Sequence, residues 1–303
     1  MSYGLIGNVN CNVMELSKDK IAGICVTYNP SQEIHNTLAA LSRVLEFVIV
    51  VDNSDSKEEK KKLEAICGNY ENVNLIDLGE NKGIAYALNR GCEIALKLGY
   101  TWALTLDQDS ILPGDTIEKY INAYNQLSRT GAYEIGMLTC DMSTWSTENA
   151  LDFEEVKQCW TSGALMSLET FNKVGGFDEK LFIDAVDFDM CLKYRSENQK
   201  IIKVNSVRLK HSLGRTKDVK VLKKHLFYVT NHSALRRYYM TRNGFYISKK
   251  YSNQYPEIKI GVSKLVKIIF KILLFETDKM EKFRYMYRGY IDYRNNKFGK
   301  YQA

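Results

Sequence analysis

The sequence predicts an α/β fold in which a mostly parallel sheet is flanked by helices, with a helical extension towards the C-terminal end. Continuous apolar runs at Ile21–Tyr28 and Phe47–Asp52 are typical of strands that are covered on both faces. Helical patterns alternate with such runs at the spacing of βαβ units. From about His225 the chain has a helical pattern nearly to its end, with breaks near Gly244 and Pro256.

Four strands and three helices account for the first third of the chain. After the first two strands we predict strands at Val73–Asp77 and Trp102–Asp107. The helices between the four strands are predicted at Glu33–Val44, Ser56–Cys67 and Ile84–Leu98. Shorter elements follow the fourth strand: helix 113–127, strand 135–139, short strands within 159–167, helix 186–197 and strand 201–207.

The composition indicates a folded protein kept in a reducing compartment. With 303 residues, 45% hydrophobic content and three Pro, the chain is long enough for one large domain with an appendage and is not typical of disordered protein. It has no opening apolar block and no uncharged stretch of about 20 residues, so we expect neither a signal peptide nor a spanning helix. The seven Cys are scattered without a CxxC pair, which favours reduced thiols over disulfides or a zinc site.

The net charge of +6 is concentrated at one end of the chain. From Glu257 onward there are 11 Lys and Arg against 5 Asp and Glu, while the preceding residues are balanced. A balanced main body argues against nucleic acid as a partner, and the basic tail favours contact with an anionic surface.

Polar residues follow three of the predicted strands. The first strand runs into Thr27-Tyr28-Asn29-Pro30, the second into Asp52-Asn53-Ser54 and the fourth into Asp107-Gln108-Asp109. Ligands of open parallel sheets bind at the carboxyl ends of the strands. A polar loop explains any one of these ends, but three ends on one edge favour a nucleotide pocket.

Asp107 and Asp109 form the sharpest candidate site. Two carboxylates directly after an apolar strand are able to face one divalent cation, and Mg²⁺ or Mn²⁺ prefers few protein carboxylates with phosphate oxygens and water. The turn Asn81-Lys82-Gly83 precedes a predicted helix and is expected to offer backbone N–H groups to phosphate or sugar oxygens. The chain has neither a Walker loop nor a GxGxxG motif, which argues against a dinucleotide-binding dehydrogenase.

Asp187 stands at the start of a predicted helix within the acid-rich segment Gly176–Arg195. A carboxylate at this position either projects into a cleft as a general base or favours the helix dipole. Of the four His, only His211 lies where it could bind a ligand, although a loop His is more often solvated. We find no Ser–His–Asp or Cys–His arrangement in a recognisable local context.

The segment Ile260–Phe275 is predicted to be a basic amphipathic helix. Lys264, Lys267 and Lys271 follow steps of three and four, so they share one face of a helix that is otherwise strongly apolar. Such a helix either lies in the plane of a membrane surface or packs on the protein's own core or on a second subunit.

Seven strings, taken in order, resemble the family-2 inverting glycosyltransferases of GT-A fold, which have a Rossmann-like sheet. They are VTYNP, VVDNSD, ENKGIAYALNRG, LTLDQDS, TSGALMS, GGFDEKLFIDAVDFDMCLKYR and RNGFYISKK. The resemblance is greatest to the bacterial branch that transfers L-rhamnose from dTDP-L-rhamnose during cell-surface polysaccharide synthesis. Many relatives carry Glu-Asp where this chain has Val186-Asp187, and the rhamnose-transferring branch tolerates Val there.

The resemblance implies a role for each matching residue. Asp187 would be the catalytic base, and Asp109 with His211 would ligate the metal, Mg²⁺ or Mn²⁺. The residues that would bind the donor are Thr27, Asn29, Asp52, Asn53, Asn81, Gly83, Asp107 and Arg215. The residues that would shape the acceptor side are Trp160, Ser162 and Gly163.

From these observations we expect a cytoplasmic enzyme at the inner face of the cell membrane. Residues 1–220 would form the catalytic domain, and residues 221–303 a basic helical extension. The partners would be the nucleotide sugar, a lipid-linked glycan acceptor, an anionic membrane surface and, alternatively for the apolar helix, a second copy of the chain. Three alternatives stay open: transfer from UDP-galactose, UDP-glucose or UDP-galactofuranose, a non-catalytic nucleotide-sugar-binding partner in an assembly complex, and a nucleotidyltransferase.

Overall fold

The strands and helices follow the alternation that the sequence predicts. The computed structural model describes residues 15–141, 152–211, 217–221, 224–229 and 231–302. The strands are β1 (Ile21–Thr27), β2 (Val48–Asp52), β3 (Val73–Asp77), β4 (Trp102–Asp107), β5 (Ser110–Ile111), β6 (Ile135–Asp141), β7 (Phe153–Val156), β8 (Ala164–Ser167), β9 (Lys200–Arg208), β10 (Lys210–His211), β11 (Lys217–Val221) and β12 (Lys224–Val229). The α-helices are α1 (Ile34–Val44), α2 (Lys57–Cys67), α3 (Ile84–Lys97), α4 (Thr116–Ser128), α5 (Leu168–Lys173), α6 (Val186–Ser196), α7 (Ala234–Tyr251), α8 (Val262–Phe275) and α9 (Lys279–Arg294).

Eight strands form one mostly parallel sheet in the order β3-β2-β1-β4-β8-β6-β9-β7. Strands β1 to β4 are parallel to one another, and β6 is parallel to β9. Strand β8 runs antiparallel between β4 and β6, and β7 runs antiparallel at the edge. The predicted fold class, a mostly parallel sheet flanked by helices, is therefore confirmed.

Apolar side chains project from both faces of the sheet and are buried there, which explains why the central strands are continuous apolar runs. In β1, Cys25 belongs to the buried cluster that includes Leu38 of α1, whereas Ile24 belongs to the cluster that includes Leu88 of α3. Burial of both faces leaves solvent access to the strand backbone mainly at the strand ends. The carboxyl edge of the sheet is thus the natural place for a ligand.

The C-terminal part differs from the sequence prediction in two ways. Strands β11 and β12 form an antiparallel hairpin, and the helix that was expected from His225 begins only at Ala234. The run Lys224–Val229 (KHLFYV) contains aromatic and β-branched residues that favour a strand once a partner strand lies beside it. Helix α7 also continues through Gly244, where Ile260 packs close enough that a Cβ would lie 3.3 Å from its side chain.

The predicted domain boundary at residue 220 falls inside β11. Helix α7, which follows the hairpin, is joined to α6 by buried polar contacts. Lys250 Nζ and Tyr251 Oη each donate to Asp189 Oδ1 over 2.9 Å, and Asp189 is fully buried. The extension is therefore anchored to the α/β part by α7. Among the described residues, none of the helices combines the length and the apolar character needed to cross a membrane.

Position 83, just before α3, requires a glycine because of its backbone conformation and because there is no room for a side chain. Its φ is +91°, and a Cβ would lie 2.7 Å from the carbonyl oxygen of Phe182. Gly79 provides a control because its φ is +82° and nothing lies within 4 Å of the position that a Cβ would take there. Comparing substitutions at the two glycines therefore separates the free-energy cost of the backbone conformation from that of the clash.

We expect Gly79→Ala to lower the free energy of unfolding by about 1 kcal/mol, because Ala resists a positive φ. Gly83→Ala adds the clash with Phe182 and should lower it by about 2–4 kcal/mol. Chemical denaturation of both variants beside the wild type measures the difference. Equal losses in the two variants would show that the space around Gly83 is not limiting.

Candidate active site

Three polar strand ends meet at one edge of the sheet. In the strand register, Thr27 lies opposite Asp52, and Val26 lies opposite Asp107. The structure therefore brings together the residues that were predicted from the ends of β1, β2 and β4. These strands alternate with helices on both faces, so that their carboxyl ends open on one side of the molecule.

Asp52 is buried at this edge with its two oxygens in different surroundings. Thr27 Oγ1 donates to Oδ1 over 2.9 Å, and Ser54 Oγ donates to the same oxygen over 2.5 Å. Oδ2 is buried and has no hydrogen-bond partner among the described residues. A buried acceptor without a partner is costly, so a ligand N–H group at this position would be stabilising.

Gln108, between the two predicted metal-site acids, holds the end of β4 against the end of β1. Its side chain accepts from the Tyr28 N–H over 2.7 Å and donates to the Tyr28 carbonyl over 3.3 Å. Thr37 Oγ1 donates to the Gln108 carbonyl over 2.9 Å. Asn29 follows Tyr28 with φ +43°, and its N–H donates to Ser54 Oγ over 2.7 Å. The loops that follow β1, β2 and β4 are thereby tied together.

The N–H groups of the turn before α3 are used in another way than expected. The N–H of Lys82 donates to Asn53 Oδ1 over 2.8 Å, and the N–H of Gly83 donates to Asn81 Oδ1 over 3.0 Å. The next N–H, of Ile84, donates to the carbonyl of Phe182 over 2.8 Å. These N–H groups have partners within the protein, so the contacts lend no support to the expectation that they hold a phosphate. Asn53 and Asn81 instead shape the turn, since Asn53 Nδ2 donates to Asn81 Oδ1 over 3.1 Å.

A cleft of about 570 Å³ lies beside this edge. Among the described residues that line it, Asp107 of β4 and Asp187 of α6 face one space although they lie 80 positions apart in the sequence. The others are Ile84, Gln158, Cys159, Trp160, Thr161, Ile183, Asp184, Ala185, Val186, Phe188 and Arg236. The volume is in the range of pockets that hold small-molecule ligands.

Asp187 has the properties of a proton acceptor. It lies in the first turn of α6, is half-buried, and is 3.5 Å from Thr161 Oγ1 through its Oδ1. Burial, together with the negative charge of Asp107, raises the pKa of Asp187 to about 6. A carboxylate that only complemented the helix dipole would be stabilised in its charged form. The raised pKa instead favours the general-base interpretation.

Asp109 follows Asp107 by two positions and is absent from the described lining of the cleft, but its carboxylate is of the type that a hard divalent cation with phosphate ligands prefers. Ser162 Oγ accepts from the Asp107 N–H over 3.1 Å and donates to Ser110 Oγ over 2.8 Å, which fixes the chain on both sides of Asp109. Ser110 lies opposite His211 in the pairing of β5 with β10. Two carboxylates close together suit Mg²⁺ or Mn²⁺ when a substrate supplies further oxygens. In the described part of the chain no cluster of three or more His, Cys, Asp or Glu is arranged to hold a metal ion without such a substrate.

The predicted acceptor-side residues divide into one exposed residue and two buried ones. Trp160 lines the cleft and is 60% exposed. Ser162 is buried, and Gly163 has φ +81° with its N–H donating to the Thr105 carbonyl over 2.8 Å. A Cβ at Gly163 would lie 2.7 Å from Cys140 Sγ. These two residues lie behind the residues that line the cleft, whereas Trp160 offers a surface for stacking.

Two further polar residues line the cleft. Arg236 Nε donates to Asp184 Oδ1 over 3.1 Å, and burial raises the pKa of Asp184 against the opposing effect of Arg236. Sequence reasoning identified Asp184 only as one of several acids, and it missed Arg236 because this residue lies 52 positions away on α7. Of the predicted site residues, the donor-binding Arg215 lies outside the described residues, and so does the side chain of the metal ligand His211.

Known proteins with similar sequences are sugar transferases. The profile described as Glycosyl transferase family 2 matches residues 24–166. The dTDP-rhamnosyl transferase RfbF of Shigella flexneri is 31% identical over 88% of this chain and 91% of its own length. The N-acetylglucosaminyl-diphospho-decaprenol L-rhamnosyltransferase of Mycobacterium tuberculosis is 25% identical over 57% of this chain and 69% of its own length.

Similar folds occur in solved glycosyltransferase structures. The mannosyltransferase PcManGT from Pyrobaculum calidifontis, in complex with GDP-Man and Mn²⁺, has a TM-score of 0.58 at 14% identity, over 93% of this chain and 88% of that chain. TarS 1-349 of S. aureus, in complex with UDP-GlcNAc, has a TM-score of 0.53 at 15% identity, over 90% and 80% of the two chains. At these identities the similarity shows the fold, which is GT-A as predicted. Because a relative with 31% identity spans nearly the whole chain and the family profile covers β1 to β8, the protein belongs to glycosyl transferase family 2.

Proposed function

We propose that this protein transfers L-rhamnose from dTDP-L-rhamnose, with inversion, to a hydroxyl group of a lipid-linked glycan in cell-surface polysaccharide synthesis. The observation that carries the proposal is the cleft shared by Asp107 and Asp187, in which the pKa of Asp187 is raised to about 6. The rhamnosyl transferases among the relatives support the sugar, and the diphospho-decaprenol acceptor of one of them supports the lipid link.

In the proposed reaction Asp187 takes the proton of the acceptor hydroxyl. The acceptor oxygen forms a bond to the anomeric carbon while the bond from this carbon to the dTDP oxygen breaks on the opposite side. One base and one displacement give inversion, without the covalent intermediate of retaining glycosidases. A positioned general base contributes about 10²–10⁴-fold to such a rate.

For the donor, we assign the nucleobase to the edge near Asp52 and the diphosphate to Asp107 and Asp109. The buried Oδ2 of Asp52 suits the ring N–H of thymine, which is a hydrogen-bond donor. Mg²⁺ or Mn²⁺, held by Asp109 with His211 near it, would offset the charge of the departing diphosphate. Two structural neighbours, PcManGT and GalNAc-T7, were solved with Mn²⁺, which supports this choice of metal.

The alternatives make different demands on the cleft. Transfer from a UDP-sugar would use the same base, and the mannosyl, glucosaminyl and galactosaminyl ligands of the structural neighbours leave this choice to experiment. A non-catalytic nucleotide-sugar-binding partner has no use for a buried carboxylate with a raised pKa. The position of Asp187 therefore favours an enzyme.

The role of Asp187 is tested by Asp187→Asn, which keeps the shape of the side chain and removes the base. We expect kcat for rhamnosyl transfer to fall about 10²-fold or more, because the acceptor proton has no recipient. The affinity for dTDP-L-rhamnose, measured by calorimetry, should stay within a few fold. Asp115→Asn, at an acid 53% exposed on its side chain and paired with Lys119, is the matched control. A parallel loss of donor affinity would mean that Asp187 supports the fold.

The same base determines the pH dependence. Asp187 must be deprotonated to act, and its pKa is raised to about 6 in the free protein, so kcat/KM should be constant above about pH 7 and fall as the pH drops through 6. At pH 5 about a tenth of the plateau rate should remain. A carboxylate of ordinary pKa would keep the rate constant down to about pH 5, so a flat profile between pH 5 and 7 would contradict this assignment.

Nucleotide and metal are tested by calorimetric titration of dTDP, UDP and GDP with and without Mn²⁺. We expect dTDP to bind most tightly and to lose about tenfold or more in affinity when the metal is removed, since two carboxylates then face the diphosphate without an intervening cation. Asp109→Asn should weaken the effect of Mn²⁺. If dTDP binds equally well without metal, Asp109 is not a metal ligand.

For location, we propose that the protein is cytoplasmic and docks on the inner face of the membrane through α8. Of the 14 residues of α8 only Ile272 is buried, and Val262, Phe270 and Leu274 are each more than half exposed. Apart from Ile272, the helix is therefore not packed on the core formed by the described residues. A 14-residue helix is about 21 Å long, shorter than the apolar thickness of a bilayer, so it would lie in the membrane plane.

Vesicle co-sedimentation tests the docking proposal. We expect binding to vesicles that contain phosphatidylglycerol and weaker binding to phosphatidylcholine alone, because α8 carries Lys264, Lys267 and Lys271. Phe270→Asp should reduce binding at least tenfold, whereas Leu98→Asp, at an apolar residue of similar exposure outside α8, should not. If Phe270→Asp instead dissociates a homodimer in sedimentation velocity and leaves vesicle binding unchanged, α8 is a subunit interface.

A further inference from the structure

The loop before α6 has an unusual backbone. Phe182, Asp184 and Ala185 have φ values of 62°, 63° and 65°, a region in which residues with a Cβ are strained. Three such residues within four positions do not persist unless the surroundings hold them. Ala185 immediately precedes α6, so the conformation of this loop determines where the first turn of the helix, and with it Asp187, is placed.

The same loop also reaches the donor side of the cleft. The carbonyl of Phe182 accepts from the Ile84 N–H over 2.8 Å, and the Phe182 ring lies directly against Gly83. Ile183, Asp184 and Ala185 line the cleft. The loop is therefore a bridge between the turn that starts α3 and the helix that carries Asp187.

One buried side chain of α7 holds this bridge. Asn243 is fully buried, and its Nδ2 donates to the carbonyls of Leu181, Ile183 and Asp184 over 2.9, 2.7 and 2.9 Å. Its Oδ1 accepts from Arg242 Nε over 3.0 Å, which fixes the orientation of the amide. The three carbonyls belong to the strained segment itself, so their hydrogen bonds offset the strain directly.

Arg242 extends the contact to the C-terminal segment. Its Nη2 donates to the carbonyls of Lys180 and Leu181 over 3.2 and 3.1 Å, and its Nη1 donates to the carbonyl of Gly299 over 2.8 Å. The Gly299 N–H in turn donates to the Lys180 carbonyl over 3.1 Å. The charge is compensated by these carbonyls and by the rings of Tyr238 and Tyr239, whose centroids lie 5.3 and 5.0 Å from the guanidinium carbon.

We propose that Asn243 is a positioning residue for Asp187: by holding the loop Leu181–Ala185 in its strained conformation, it sets the distance and direction from the base to the sugar donor. The proposal rests on the proposed function for its catalytic consequence. It gives a role to the string RNGFYISKK, of which Arg242 and Asn243 are the first two residues. Asn243 itself is absent from the described lining of the cleft, so it acts only through the loop.

The rival explanation is that Asn243 contributes only to stability, as any buried amide with satisfied hydrogen bonds does. The chain offers a matched residue for this comparison. Asn89 of α3 is also buried, and its Nδ2 donates to the Phe177 carbonyl over 3.0 Å while its Oδ1 accepts from the Phe177 N–H over 2.7 Å. Asn89 Nδ2 also donates to Glu179 Oε1 over 2.8 Å, so Asn89 holds residues 177–179, which are absent from the described lining of the cleft of about 570 Å³.

The experiment compares Asn243→Ala with Asn89→Ala in the full chain. Both variants should unfold at lower temperature than the wild type. At saturating donor and acceptor, Asn243→Ala should lose about 30-fold or more in kcat per folded molecule, with KM for the donor changed less than threefold, because the base is displaced while the nucleotide edge is intact. Asn89→Ala should keep kcat within threefold. If Asn243→Ala aggregates, Asn243→Ser, which keeps one O–H donor, takes its place.

Equal kcat losses in the two variants, or an unchanged kcat in Asn243→Ala, would overturn the proposal. Hydrogen–deuterium exchange provides a readout that does not depend on the reaction. The peptide that covers residues 181–187 should exchange at least tenfold faster in Asn243→Ala and at the wild-type rate in Asn89→Ala. Should the wild type transfer no sugar at all, the proposed function fails while this exchange result still tests the loop. An unchanged exchange rate in Asn243→Ala would refute the inference that Asn243 holds the loop Leu181–Ala185.

Discussion

The whole site depends on a carboxylate that is partly withdrawn from water beside a second carboxylate. Asp187 and Asp107 come from elements that are far apart in sequence, and the negative charge of Asp107 adds to burial in disfavouring the charged form of Asp187. The backbone of Asp107 is fixed because its N–H donates to Ser162 Oγ over 3.1 Å, so the sheet maintains this repulsion. A bound cation and an arriving hydroxyl group would each relieve the repulsion, so the unliganded site is already biased towards its substrates.

The first half of the fold was predictable because its signals are local. Strands β1, β2 and β4 are buried apolar runs and β3 is a half-exposed edge strand, and each of the four was placed to within about a residue. Strand β7, by contrast, is short and carries two adjacent exposed Glu residues between half-buried ends, and it pairs with β9. Strand β12 was mistaken for helix for a similar reason, since pairing with β11 rather than local preference decides its conformation.

For the candidate site too, the sequence predicts only those residues that have a local signal. Asp52, Asp107 and Asp187 stand at a strand end or a helix start, where sequence alone indicates a functional position. Arg236 and Asn243 have no local signal, because their partners are an acid and three carbonyls located between 52 and 62 positions away. The turn at Asn81 to Gly83 shows the reverse case. It has the composition of an anion-binding turn, yet neighbouring side chains and a carbonyl from the loop before α6 already use its N–H groups.

The contact between Arg242 and Gly299 has a consequence for biosynthesis. Gly299 follows Asp187 by roughly 110 residues, and ribosomes add about 5–20 residues per second, so the α/β part emerges roughly 5 to 20 s before the segment that completes its active-site loop. During this interval the nascent chain has its sheet but lacks one of the partners of Arg242. The chain therefore becomes able to catalyse its reaction only late in translation. A partly made chain would be able to fold its core before it could act on a sugar nucleotide.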